Sequence, residues 1–527
     1  MNKLKKIAII LRTVRYLKWT QVFHQIKNRL RKAKPLSTYN SIYSSTHNLD
    51  FFGVEEAYPV LELEKGEYNF HFLNLSKNFG STIDWNFQEY GKLWNYNLQY
   101  LDCLKQKDVE SQVKIALIHS IYSDLNSGKL KLEPYPASLR IMNLIRFVSI
   151  EDINEEELVK INSYIKSESS YLKENLEYHL LANHLLENLF AMNMAARYFN
   201  ENEAINKYES LIKIQLEEQI LNDGAHYELS PMYHKIIFFR VLEAYYFLSE
   251  NSKYKNYLKN TLSKMLCWLK NMSFQNGEVP DFNDSTKGIT FSNLYFYKLC
   301  ETLGIQSADL NLSDSGYRKY NNSDFEIVMD VNGIAPPYQP GHAHADTFSF
   351  CLNYRNQPII VDSGISTYNI GERRSWERST NAHNTIEIEG ENSAEVWSGF
   401  RVGRRLNVKI IKDNNESVVS LHDGYKHFGI EVKRSLILNS GALSILDEII
   451  GETSKKIVLN LNFHPNISVI KEGNQIILEN FLLLTFNSST IKFGSYNYCL
   501  GYNNILKSQK ISVELEGKLL QTIIKKL

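Results

Sequence analysis

Cysteine is scarce in this 527-residue chain and nowhere clustered. The five (Cys103, Cys267, Cys300, Cys351 and Cys499) are odd in number and show no CxxC spacing, which argues against a disulfide framework and against a thiolate metal site. Excess charge is absent as well. Lys and Arg number 59 and Asp and Glu number 59, so bulk charge gives no reason to expect a nucleic-acid partner. No apolar run reaches the length of a transmembrane helix. The opening Ile7-Ala8-Ile9-Ile10-Leu11 is closed by Arg12 and lacks the longer apolar core and small-residue cleavage site of a secretory signal. No internal repeat stands out. These absences favour the cytoplasm, with the periplasm as the alternative.

Acidic residues are missing from the start of the chain, where the first is Asp50. Residues 3–34 are rich in Lys and Arg, with Leu, Ile, Val, Trp19 and Phe23 between them. That pattern predicts one or two basic amphipathic helices able to rest on an anionic membrane surface, a peripheral contact at the inner membrane. Helices packed on the protein body with a solvated basic face fit the pattern equally well.

The length calls for two or three domains. Hydrophobic content of 43% and charged content of 22% are those of a globular protein. Aromatics at 12% suit sugar stacking and ordinary cores alike. From about 85 to 310 the apolar residues recur at helical spacing, with helices expected at Ser138–Ser149, Glu155–Leu172, Leu180–Phe199, Ala204–Leu221, Lys235–Ser249 and Tyr254–Met272. Glu133-Pro134-Tyr135-Pro136, Asn222-Asp223-Gly224 and Gln275-Asn276-Gly277 read as breaks. Beyond 310–325, short β-branched or alternating runs take over, from Phe325–Asp330 to Gln475–Leu478. The fold class expected is multidomain α+β. Basic helices occupy 1–50, helical hairpins around a cavity 51–315, and an antiparallel β-sandwich 316–527, with an active site where the last two meet.

Three stretches carry chemistry in the second half. In Gly341-His342-Ala343-His344-Ala345-Asp346, alternation along a strand would put His342, His344 and Asp346 on one face. Val361-Asp362-Ser363-Gly364 and Asn381-Ala382-His383-Asn384 follow. His342, His344 and Asp346 could start a metal site; alternatively His344, Asp362 and His383 form a set that suits zinc, leaving His342 for proton transfer. Spacing leaves both open. In the helical half, Asn183, His184, Glu187 and Asn188 make a polar patch amid leucines, either aimed into a cavity or locking helices together. His226, Glu228, Tyr233 and His234 surround a helix start where Ser230 is the expected N-cap and Pro231 lies in the first turn. The helix dipole there would favour a Tyr233 phenolate. A purely structural tyrosine is the alternative.

These stretches, together with Leu93-Trp94-Asn95-Tyr96-Asn97-Leu98, Ser138-Leu139-Arg140-Ile141, Arg378-Ser379-Thr380-Asn381 and Phe400-Arg401-Val402-Gly403-Arg404-Arg405, resemble the heparinase II/III family of polysaccharide lyases, which takes in related alginate lyases. The resemblance covers about 85 to 405 and implies an N-terminal (α/α) toroid followed by an antiparallel β-sandwich. It implies catalytic roles for Asn183, His184, Tyr233 and His342, and one structural zinc ion on His344, Asp362 and His383. Arg140, Glu187, Asn188, His226 and Arg378 are assigned to substrate binding, and Arg373, Arg374 and Arg401 are further cations able to meet acidic sugars. The implied reaction is β-elimination on a uronic-acid-containing acidic polysaccharide, with removal of the C5 proton and departure of O4. A zinc hydrolase and a non-catalytic glycan-binding or assembly protein are the competing readings.

Overall fold

The computed structural model describes residues 3–30, 36, 46–53, 59–249, 252–473 and 475–527. They form two compact units. One takes Lys18–Gln219 and Ile236–Leu262; the other takes Met1–Leu17, Ile220–Lys235 and Ser263–Leu527.

The first unit is built mainly of helices, among them Ser111–Asn126, Pro134–Ile150, Glu155–Glu174, Ala182–Tyr198 and Asn202–Gln219. Local sequence sets their ends. Asn154 caps Glu155–Glu174 by accepting from the Glu157 N–H at 3.0 Å, and three glutamates in the first turn face the positive end of the helix dipole. Pro134 is the first residue of its helix, where a missing N–H costs nothing, so the stretch read as a break is in fact a start. Ala182–Tyr198 is buried on nearly every face, the polar Asn183, Glu187, Asn188 and Asn193 included. A small antiparallel sheet (Leu61–Glu64, Glu67–Phe72, Leu75–Asn78) also belongs here and was not anticipated. Its first turn is made by Lys65 and Gly66, both at positive φ.

Three of the antiparallel sheets in the second unit share one apolar core. The largest has eight strands, running in space from Val408–Asn414 through Ser417–His422, Glu431–Leu438 and Ala442–Ile450 to Leu519–Lys526, then Leu482–Phe486, Gln475–Leu478 and Val469–Glu472. In Glu431–Leu438 and Ala442–Ile450 every second side chain is buried, the period-two pattern of a sheet with one face on the core. A four-stranded sheet joins Ile491–Gly501, Asn504–Glu514, Ile457–Asn462 and Ile386–Ile388. A second joins Tyr317–Asn321, Phe325–Asp330, Phe350–Tyr354 and Gln357–Ile360. Phe325–Asp330 is buried along its whole length, so its apolar run needs no alternation.

The stretch from His342 to Asp346 is a loop, not a strand. Its backbone donors go to partners that no ladder would supply: the His344 N–H bonds Asn283 Oδ1 at 3.0 Å and the Ala345 N–H bonds the Arg378 carbonyl at 3.0 Å. The strand begins only at Phe350, after Phe348 has turned the chain at φ 70°.

Candidate active site

In the sheet-bearing unit the site begins at a helix N-terminus. Ser230 is the N-cap expected: its Oγ accepts from the Tyr233 N–H at 3.2 Å and donates to the Asp284 carbonyl at 2.7 Å. Leu229, one residue earlier, holds φ 55°, and its carbonyl takes hydrogen bonds from Tyr317 Oη at 2.5 Å and Asn283 Nδ2 at 3.0 Å. A strained, doubly anchored entry therefore fixes where Tyr233 points. The Tyr233 ring stacks on the His342 ring, with centroids 3.9 Å apart and planes 30° apart. Its hydroxyl lies 3.1 Å from that of Tyr368. Burial, with Tyr502, Asp284 and Glu228 adding to it, pushes the Tyr233 pKa well above the usual phenol value. The phenolate expected from the helix dipole is thus overridden, and Tyr233 holds its proton.

Asp284 is the hub that sequence reasoning missed. One of its oxygens accepts from His342 Nδ1 at 2.8 Å and the other from His344 Nε2 at 2.8 Å. Arg374 grips the same carboxylate with both terminal nitrogens, Nη2 at 2.7 Å. Burial alone would raise the Asp284 pKa, but Arg374 and the two imidazole donors outweigh it and hold the group well below the usual carboxylate range. An ionised Asp284 can only accept, so Nδ1 of His342 is the donor to it and Nε2 is the ring nitrogen turned away from Asp284. That Nε2 lies 3.7 Å from the Glu228 carboxylate. Asn283, directly before Asp284, is a non-glycine at φ 55°. No motif marks the stretch from Pro280 to Ser285; its two aspartates in a polar, non-periodic segment were the only signal.

The three metal candidates lie in the same unit. His344 and His383 have ring centroids 5.3 Å apart, and His383 Nδ1 donates to Asp362 Oδ2 at 2.8 Å. Burial drives the His344 pKa down to about 3, so this imidazole is neutral. His344 Nδ1, His383 Nε2 and Asp346 Oδ2 are buried without a hydrogen-bond partner. Among the described residues, however, no three His, Cys, Asp or Glu side chains converge as a formed metal shell.

In the helical unit, Asn183 and His184 sit in the first turn of Ala182–Tyr198, entered through Leu181 and Ala182 at φ 62° and 52°. His184 packs against Tyr135 with centroids 4.7 Å apart, and its Nδ1 is 3.3 Å from Glu177 Oε1. Several residues assigned to substrate also make hydrogen bonds within the protein. Arg140 is fully buried, bonded to Glu168 and, at 2.8 Å, to the Gln99 carbonyl. Glu187 accepts from Arg240 Nε at 2.9 Å, and Asn188 ties Ser138 to Glu177. In the other unit His226 is buried, with its pKa lowered by burial to about 4. Arg378 is buried and donates to the Ala343 carbonyl at 2.9 Å. Arg374 is likewise enclosed on Asp284, Arg373 bonds Glu377 at 2.7 Å, and Arg401 stays exposed.

Residues 124–300 match the family described as heparinase II/III N-terminus, and 306–515 match heparinase II/III-like, C-terminal. A heparin-sulfate lyase of Bacteroides stercoris is 26% identical over 317 residues, 54% of this chain and 46% of that protein. One from Pedobacter heparinus is 24% identical over 274 residues, 46% of this chain and 40% of its own. The chain thus spans less than half the length of these relatives. Among solved structures, heparinase III matches with a TM-score of 0.70 at 17% identity, covering 85% of this chain and 80% of that one. A heparan sulfate lyase from Pedobacter heparinus matches at 0.58 and 17% identity, covering 96% and 87%. At such identities these two likenesses speak for the fold alone.

Proposed function

The chain belongs to the heparinase II/III family, and on that premise we propose that it is a polysaccharide lyase cleaving a uronic-acid-containing acidic polysaccharide by β-elimination. The observation that carries this reading is the stacked Tyr233–His342 pair with Asp284 behind it. The names of the relatives support an acidic glycan as substrate. With the family goes the arrangement proposed for each unit by itself: helical hairpins closed as a toroid in one, antiparallel sheets packed as a sandwich in the other.

In the proposed reaction His342 Nε2 takes the C5 proton, and Asp284 and Glu228 stabilise the imidazolium that forms. The electron pair left at C5 makes the C4–C5 double bond as the C4–O4 bond breaks. Tyr233, which burial keeps protonated, gives its proton to the departing O4. Asn183 and His184, in the helical unit, keep the uronate-carboxylate role that the family resemblance implies, in which N–H donors would offset the charge that develops on its oxygens. The product would carry an unsaturated uronate at its new non-reducing end.

Zinc is the cofactor proposed, one ion on His344, Asp362 and His383. Two observations fit it. His344 and His383 each donate one ring N–H to a carboxylate, as metal-bound histidines do, and keep the other nitrogen unpartnered. Asp362 is already bonded to His383 and to the Gly364 N–H, so the free Asp346 Oδ2 is an additional oxygen available there. Such an ion would pin the loops that carry His342 and His383. The work of the protein is proposed to lie at the cytoplasmic side of the inner membrane, in making or trimming a cell-surface polysaccharide. A processed N-terminus on protein recovered from the periplasm would overturn that placement.

The test is ultraviolet absorbance in the unsaturated-uronate band on a panel of acidic polysaccharides. Wild type should produce a rise, and Tyr233→Phe and His342→Ala should each slow it by roughly 10²–10⁴-fold. Folded protein that gives no rise on any polymer, but binds one, would favour a non-catalytic glycan-binding or assembly role. Hydrolysis without unsaturated product, lost with the metal, would favour a zinc hydrolase.

A further inference from the structure

The N-terminal helices present apolar stripes to solvent, and nothing in the lyase reading uses them. Lys3–Val14 lies on the sheet-bearing unit along the side that carries Ile9, Arg12 and Thr13. Ile9 is buried there, Arg12 Nε bonds Glu395 Oε2 at 2.8 Å, Thr13 Oγ1 accepts from Trp397 Nε1 at 3.0 Å, and Arg405 covers the Tyr16 ring at 3.7 Å. The fit is close. A Cβ on Gly403 would stand 2.3 Å from Glu395 Oε2 and 3.1 Å from Ile9. With that side fixed, Leu4, Ile7, Leu11 and Val14 fall on the other, at intervals of three, four and three residues, and all are exposed.

Trp19–Leu30, in the helical unit, repeats the arrangement. Gln21 is buried and bonds the Leu180 carbonyl at 3.3 Å, while His24 packs on Tyr178 with centroids 5.0 Å apart. Trp19, Phe23, Ile26 and Leu30 form a stripe at intervals of four, three and four, with Trp19 87% and Leu30 80% exposed. Large apolar side chains aligned in an exposed stripe mark an interaction surface. The charge around them names the cover. Lys5, Lys6, Arg15, Lys27 and Arg29 are exposed beside the stripes, and no acidic residue occurs before Asp50. A solvated basic face alone would not place Trp, Phe, Ile and Leu outermost.

We propose that these two helices dock the protein on an anionic lipid surface, with the apolar stripes entering the headgroup–acyl boundary and the basic residues meeting lipid phosphates. Neither helix is long and apolar enough to cross a membrane, so the contact is interfacial. The inference is independent of the lyase chemistry.

The test is co-sedimentation of the full chain with vesicles containing phosphatidylglycerol, beside vesicles of phosphatidylcholine alone. Wild type should bind the anionic vesicles, less at high salt, and bind phosphatidylcholine more weakly. The combined variant Trp19→Ser, Phe23→Ser, Leu4→Ser and Leu11→Ser should lose affinity for anionic vesicles by about tenfold or more with an unchanged melting temperature. Lys5→Glu with Lys27→Glu and Arg29→Glu provides a second route to the same loss, should the serine variant misfold. Wild type that stays in the supernatant at low salt, or a folded variant that binds as well as wild type, would overturn the proposal. So would a wild-type dimer in light scattering that the serine variant makes monomeric without any vesicle binding, since a second copy would then be the cover.

Discussion

At the scale of single residues, one carboxylate organises the proposed chemistry. Asp284 faces two imidazole N–H groups and a guanidinium in a place without solvent, and each partner depends on its charge. Asp284→Asn would leave Arg374 buried without a counter-charge, a loss of about 3–5 kcal/mol. The pH dependence follows from the same arrangement. The folded-state pKa of Asp284 is depressed, so its stabilisation is complete above the unfolded carboxylate value of about 4 and is lost as pH falls through the lower folded value. Urea midpoints measured from pH 5 downward should therefore fall steeply in wild type, and the acid slope should flatten in Asp284→Asn. An unchanged slope would mean that Asp284 is not the titrating group. Tyr233 gives the complementary expectation on the alkaline side. In a difference titration against Tyr233→Phe, its phenolate absorbance should appear only above the ordinary tyrosine value of about 10. The sequence made Tyr233 and His342 legible because each lies in a compact polar motif. Asp284 was hidden because its importance arises only when residues about sixty and ninety positions away fold onto it.

Secondary-structure elements show why alternation misled at one point and capping did not at another. The Ser230 signal is local: a hydroxyl one residue before a proline, with free N–H groups two and three residues on. It needs nothing from the rest of the chain, and the structure has it. Ser230→Ala should cost about 1–2 kcal/mol in thermal stability. If Tyr233 acts as proposed, it should also lower kcat more than it changes KM, while Ser230→Thr restores both. Equal losses of kcat and binding would point to general unfolding instead. The strand expected at His342–Asp346 had the right period, yet no neighbouring strand meets its backbone donors. What fixes that loop from below is a strand pair elsewhere. Arg434 and Asp447 are directly opposed in the large sheet, paired at 2.7 and 2.9 Å, and Arg434 Nη1 also holds the carbonyls of Phe348 and Asn384. One buried arginine thus ties down both histidine-bearing segments. Such a tie cannot be read from spacing.

At the scale of the whole molecule, the change of texture near 310–325 was legible because helical and strand periodicities differ in kind. The path of the chain was not. Ile220–Lys235 belongs with the sheets although helices flank it, and the last strand, Leu519–Lys526, lies in the middle of the eight-stranded sheet rather than at its edge. Both depend on contacts far apart in sequence. The same non-local closure frames the last expectation, for metal. His344 comes from the loop between Phe325–Asp330 and Phe350–Tyr354 of one sheet and His383 from the segment leading into another, so an ion on both would close a long loop in the folded state alone. Its removal should be felt as stability before it is felt as chemistry. We expect about one zinc per chain by elemental analysis, and a chelator should lower the melting temperature by on the order of 5 °C or more. Added zinc should restore it. His344→Ala and His383→Ala should abolish both the metal content and the response to chelator, whereas His342→Ala should keep both, because its ring meets Asp284 and Tyr233 and leaves the orphaned nitrogens untouched. Comparing Asp362→Asn with Asp346→Asn then tells which carboxylate completes the shell. A protein that purifies without zinc, melts at the same temperature with chelator and does not change on adding metal would show that these orphaned nitrogens serve something other than a structural ion.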